Sequence, residues 1–170
     1  MGLFDAVRAG ASETLLPLLD DPGSAPTWLE PAALDEMLAL IGGLRGREMI
    51  RELGYHNAKG GGFKAVLEPI IQLTLSMLGA SPGSLFSRAQ TLASVVAKGI
   101  EMKWSPEGKN SGTIRLRCDD PVRELSWAAW EGVCLYVCEL AGMAGTVAAA
   151  RPSADGRSCE IQVGWVPQAT

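Results

Sequence analysis

The stretch from 125 to 165 limits the fold more than any other part of the chain, because its hydrophobic period changes abruptly inside it. Over LSWAAWEGVCLYVCELAG apolar residues crowd every face of a helical pattern, and Trp127, Trp130, Cys134, Val137 and Ala141 recur three or four apart. Such a segment forms a helix buried on most sides. Past Gly142 and Gly145 the period shortens: Cys159, Ile161, Val163 and Trp165 alternate with Glu160, Gln162 and Gly164. That is a strand with one face in a core and the other in water. The helix is therefore expected to lie across a sheet.

The same alternation appears upstream of the helix. Ile100, Met102 and Trp104 alternate with Glu101 and Lys103, and after the polar run SPEGKNSG, Ile114, Leu116 and Cys118 alternate with Arg115 and Arg117. These segments predict an antiparallel hairpin. A second is expected from strand 146–151, the turn PSADG and strand 158–166. Everything before residue 100 reads as helical. Residues 3–19 predict a short helix broken near Gly10 and Pro17, followed by the turn-rich DDPGSAPT. A firm helix begins at Pro31 with the stripe Leu34, Met37, Leu38 and Ile41. Gly42, Gly43 and Gly46 interrupt it, and LRGREMIRELGY forms a second run with Gly54 as its C-cap. HNAKGGG (56–62) is expected to be a flexible loop. A helix over 63–78 kinked at Pro69 follows, then one over 84–98 capped by Ser84. The expected class is α+β: an N-terminal helical layer packed on a four-stranded antiparallel sheet, in the order helices then β-β-α-β-β.

A chain of 170 residues suits a single domain, 1–170, with 1–24 as a helical arm. With 20% charged residues and a net charge of −4, it lacks the basic balance of a nucleic-acid binder. No apolar run is long enough to span a bilayer and none resembles a secretory leader, so a cytoplasmic location is expected. The cysteines Cys118, Cys134, Cys138 and Cys159 fall in core-type segments and are expected to be reduced.

Several of these features together resemble a known group. They are Trp28 ahead of the first main helix, the run LRGREMIRELGY, the kinked apolar helix, the polar strand pair, WEGVCLYVCELAG, and a last strand closing on Gly164 and Trp165. Over about residues 25–167 the pattern is similar to a family of uncharacterised proteins that occur as many paralogues in myxobacteria. That family is similar in layout to haem nitric-oxide-binding domains, four-vinyl-reductase sensor domains and vesicle-tethering TRAPP subunits. The resemblance implies helices on a twisted antiparallel sheet, with a hydrophobic cavity between them in several members. Gly132 and Cys159 stand where four-vinyl-reductase domains carry a helix glycine and a strand cysteine.

Residue by residue, the chemistry is sparse. His56 is the sole histidine, so a haem reading rests on it as axial ligand. The tyrosine, serine and arginine motif by which haem-binding relatives hold the propionates is not recognisable, since Ser87 and Arg88 lack a preceding tyrosine. Cys134 and Cys138 share one helix face, but thiols among aliphatic residues at that spacing read as core, and no metal is expected. Lys59 to Gly62 suggests a phosphate loop, yet no strand precedes it and the full spacing is missing. Arg45, Arg47 and Arg51 interleaved with Glu48 and Glu52 read as a solvated helix face. Trp104, Trp127, Trp130, Cys134 and Trp165 fall on inward faces, where they form a core or line a cavity for a small apolar ligand.

No nucleophile, base or elbow pattern points to catalysis. The expected function is a non-catalytic regulatory or protein-interaction module without cofactor, self-associating as a homodimer or docking a protein partner through an apolar helical face. The alternative is a small-molecule sensor domain binding an apolar ligand, or haem, between helices and sheet.

Overall fold

The computed structural model describes residues 2–21, 31–60, 81–88, 90–91 and 99–167. Trp28, the helix expected over 63–78 with its Pro69, and the stretch 92–98 lie outside them. Helix α1 spans Leu3–Gly10 and α2 Leu16–Asp20, with Pro17 in the first turn of α2, where its missing N–H costs nothing. The expected break thus separates two short helices. Arg8 pairs with Asp20 at 2.7 Å, and the Ser12 hydroxyl donates to Glu36 at 2.8 Å, which ties this segment to the next helix.

Helix α3 (Pro31–Arg45) and α4 (Arg47–Gly60) meet at Gly46, whose φ of +84° suits glycine. Two expectations fail in α4. Gly54 does not end the helix but lies buried inside it, and residues 56–60 of the expected loop are its last turn. Tertiary contacts explain both. Lys59 donates to Glu139 at 2.7 Å and to the Tyr55 hydroxyl at 3.0 Å, which anchors the C-terminal turn. Gly54 faces the backbone of the central helix. Helix α5 (Pro82–Phe86) begins two residues before the expected start, because Ser81 rather than Ser84 caps it by accepting the Ser84 N–H at 3.1 Å.

Strands β1 (Ile100–Gly108) and β2 (Ser111–Cys118) form the first hairpin, in register from Ile100 opposite Cys118 to Trp104 opposite Ile114. They run further than the alternation predicts, leaving only Lys109 and Asn110 between them. A 3-10 turn, Glu124–Ser126, leads into the central helix α6 (Trp127–Leu140), and Gly142 at φ +70° turns the chain directly into β3 (Met143–Val147). Then come β4 (Arg151–Pro152) and β5 (Ser158–Pro167).

The sheet is antiparallel in the order β1-β2-β5-β3, with β4 also paired to β5. Among the described residues it therefore has five strands rather than the expected four. The strand expected over 146–151 starts earlier and is split, since Ala150 gives its N–H to the Glu131 carboxylate at 2.6 Å and leaves the ladder. Helix α6 packs against the sheet with Trp127, Cys134 and Cys138, which join Ile114, Leu116, Cys159, Ile161 and Val163 in one buried core. Its opposite side meets α4. A Cβ at Gly132 would lie 1.9 Å from the Arg51 carbonyl oxygen, and one at Gly54 1.9 Å from that of Ala129. The two glycines let the backbones touch. The order of layers is α4, α6, sheet. Among the described residues no helix is long and apolar enough to cross a membrane.

Candidate functional site

Two arrangements on this frame carry polar or aromatic groups in unusual places. The first is Glu131, 1% exposed in the middle of α6. A buried carboxylate needs partners, and it has two: the Arg47 guanidinium from α4 and the Ala150 N–H from the strand break. Arg51, one turn further along α4, donates to the Val147 carbonyl at 3.2 Å, while its Nε and the Trp127 indole N–H are buried without a partner among the described residues. Of the arginines read from the sequence as solvated, Arg47 instead pairs with Glu131 on α6 and Arg51 reaches Val147 at the end of β3. The interleaved charges gave no sign of this, because their partners lie 84 and 96 residues away.

The second is a groove of about 810 Å³ along β1, between that strand and the α5 segment. Its apolar wall is Phe86, Met102, Trp104 and Trp165. Period-two alternation puts Met102 and Trp104 on the inward face of β1 and Trp165 on that of β5, while the Ser81 cap fixes α5 so that Phe86 meets them. One pair of rings is stacked and the other two are tilted. Phe86 stacks on Trp104 at 5.0 Å and 27°, Trp104 lies 6.0 Å from Trp165 at 35°, and Phe86 lies 6.3 Å from Trp165 at 40°. Gly112 makes this possible: any Cβ there would meet the Trp104 ring at 2.4 Å. Phe86 and Trp165 are buried, whereas Trp104 is half-buried, so the triad offers one accessible aromatic surface.

The polar lining is largely committed to the protein itself. Ser81 caps α5, the Ser87 hydroxyl donates to the Ser84 carbonyl at 2.7 Å, and Gln90 Oε1 accepts the Met102 N–H at 2.6 Å. Lys103 and Lys109 also line the groove, and among the described residues no carboxylate does.

Of the five candidate residues, Trp104 and Trp165 line this groove. Trp127 and Cys134 lie in the core between α6 and the sheet, and Trp130 packs partly buried against it. Sequence reasoning missed the share of α5. The signal available was Gly112, a glycine in a strand opposite bulky neighbours.

No family model matches the sequence, and no curated protein matches it significantly. Solved structures do. An unliganded Fe(II) H-NOX protein from K. algicida superposes with a TM-score of 0.67 at 10% identity, covering 99% of this chain and 88% of that one. An H-NOX mutant from T. Tengcongensis gives 0.60 at 13%, covering 99% and 96%. An oxygen-binding H-NOX domain related to soluble guanylate cyclases gives 0.57 at 13%, covering 96% and 90%. At these identities the likeness is one of fold: the chain has the H-NOX-like α+β architecture.

Two further H-NOX structures among these neighbours concern distortion of a bound haem, which makes the fit of the present residues to that group a direct question. His56 is exposed on α4, its ring edge-on to Tyr55 at 5.1 Å, and it does not line the groove. The groove offers no imidazole, thiolate or phenolate. The thiols are poor ligands because burial raises their pKa: Cys138 is pushed up to about 11, Cys159 to about 12, and Cys134 higher still. Among the described residues no three His, Cys, Asp or Glu side chains gather to hold a metal ion. These residues do not fit haem.

Proposed function

We propose that this chain is a small-molecule sensor domain that keeps the layered H-NOX-like frame and takes an apolar ligand, rather than haem, in the groove beside β1. The observation that carries this reading is the half-buried Trp104, stacked on Phe86 in the wall of the groove. A binding pocket of this kind combines apolar walls with a few polar groups for orientation. The two routes by which the frame could report occupancy both start at this wall. Trp165 belongs to β5, the strand that pairs with β2, β3 and β4, and Phe86 belongs to α5, which contacts α6. This reading takes up the second of the two functions expected from the sequence. Affinity to the myxobacterial paralogues rests on the sequence pattern alone.

The test is spectroscopic. Purified protein mixed with haem is expected to show no stoichiometric Soret band, and comparison of native with denaturing mass spectra is expected to reveal any retained organic ligand. A saturating, one-to-one Soret band abolished by His56→Ala would overturn the reading. The interaction module remains a second reading, favoured by the exposure of Leu34 and Leu44 on α3 and Leu53 on α4. A strict monomer in light scattering counts against self-association.

A further inference from the structure

The break between β3 and β4 is a β-bulge. Val147 stands opposite Val163 but Arg151 stands opposite Glu160, so residues 148–150 face only Ile161 and Gln162 on β5. The extra residue flips the pleat. Gly145 and Val147 face the core, and unbroken alternation would bring Ala149 and then Arg151 inward after them. With the bulge, Ala150 is buried instead, and Arg151 is exposed opposite Glu160. Arg151 thereby closes a charged row across the outer face of the sheet, in register with Glu160, Arg115 and Lys103, where Arg115 and Glu160 form an ion pair.

The bulge is held largely from outside the sheet. Only the Ala148 N–H stays with β5, donating to the Gln162 carbonyl at 2.9 Å. The Val147 carbonyl accepts from Arg51 of α4 at 3.2 Å, and the Ala150 N–H donates at 2.6 Å to Glu131 of α6, which in turn pairs with Arg47 of α4. Successive turns of α4 therefore hold both ends of the bulge. Glu131 is buried, and a buried carboxylate does not keep its place once its cation leaves. Displacing Arg47 thus also strands the Ala150 N–H. The helices themselves meet backbone to backbone at Gly54 and Gly132, with no side chains between them to absorb a shift. The geometry points to a conformational device: the seating of α4 on α6 sets the pairing of β4 with β5, so a shift of α4 releases the bulge and with it the surface position of Arg151. Arg47, Arg51, Glu131 and Ala150 do not line the groove beside β1, and this device stands whether or not that groove takes a ligand.

Amide hydrogen exchange followed by NMR, well below the urea transition, tests it. In Arg47→Ala the Ala148, Ala150 and Ser153 amides are expected to exchange at least about tenfold faster than in the parent, while the β2–β5 ladder keeps its rates. Arg47→Lys, which retains a cation, should lose less protection. Gly54→Ala, which alters neither arginine nor Glu131, should loosen the same three amides by parting the helices. Unchanged protection of Ala150 in Arg47→Ala, or equal acceleration throughout the sheet, would overturn the device. Loss confined to α4 and α6 in Gly54→Ala would overturn it too, and if that variant fails to fold, the two Arg47 variants decide.

Discussion

The contact between α4 and α6 makes a prediction whose sign, not only its size, is diagnostic. Ordinarily, replacing a helix-interior glycine by alanine stabilises a protein by about 0.5–1 kcal/mol, because glycine is the poorer helix former. Gly43 in α3 is such a case. Among the described residues nothing lies within 4 Å of a Cβ built there, so Gly43→Ala should stabilise by about that amount. Gly54 should do the opposite. A methyl at Gly54 would sit 1.9 Å from the Ala129 carbonyl oxygen and 2.6 Å from its carbon. A carbon and a carbonyl oxygen need about 3.3 Å, so the two helices must part by more than ~1 Å. Neither atom can swing aside, since both belong to backbone. Overpacking costs about 1–3 kcal/mol even where side chains can adjust, and parting the helices also loosens the Gly132 contact and the Arg47–Glu131 pair. Gly54→Ala is therefore expected to lose at least about 2 kcal/mol net. Urea denaturation of the two variants beside the parent protein, with m-values compared, measures both. If Gly54→Ala proved as stable as the parent, the proposed backbone contact between α4 and α6 would be wrong.

Other substitutions probe the core and its buried charge. Trp127 is fully buried and Trp130 only partly, so Trp127→Ala should cost about 3–5 kcal/mol and Trp130→Ala clearly less; the reverse ranking in urea would misplace that helix face. Glu131→Ala should lose about 3 kcal/mol, because it strands the Ala150 N–H and the inner Arg47 contact; a loss below about 1 kcal/mol would show the pair to be dispensable. Burial pushes the Cys118 thiol up to about 11 and Cys159 up to about 12. Raised thiol pKa values favour the folded state fully below the unfolded value near 9.0. Stability should therefore fall as pH rises from there toward 11–12, and a melting temperature flat across that window would contradict the burial. Native labelling at pH 8 should be slow, with half-buried Cys118 reacting first.

The strands were the most legible part, because a two-residue period needs no partner to be recognised. Ile100 to Trp104, Ile114 to Cys118 and Cys159 to Trp165 announce their inward faces. The sequence was silent where a long-range partner decides the local structure. Ala148 to Ala150 carries no alternation, and only Glu131, far away on α6, shows why the strand breaks there. Gly54 has two physical uses, ending a helix or admitting a close neighbour, and sequence alone cannot separate them. Residues 56–60 looked like a loop because their helical conformation depends on Glu139. The groove was half legible. Its tryptophans lay on predicted inward faces, but the space beside them depends on where α5 sits relative to β1. Trp127, Trp130 and Trp165 looked alike in the sequence, and packing alone distinguishes a core ring from a lining one.

The central claim is that ligand is received at Trp104 on the edge strand β1 and Trp165 on β5, and not in the packed layer under α6. Nitrogen-15 labelled tryptophan side chains report on this directly, since each indole N–H gives its own proton–nitrogen NMR signal. Titration with 2-naphthol, a small and mostly apolar probe, is predicted to shift the Trp104 and Trp165 signals in a saturable manner while Trp127 and Trp130 stay in place. Movement of Trp127 and Trp130 with Trp104 silent would contradict the account.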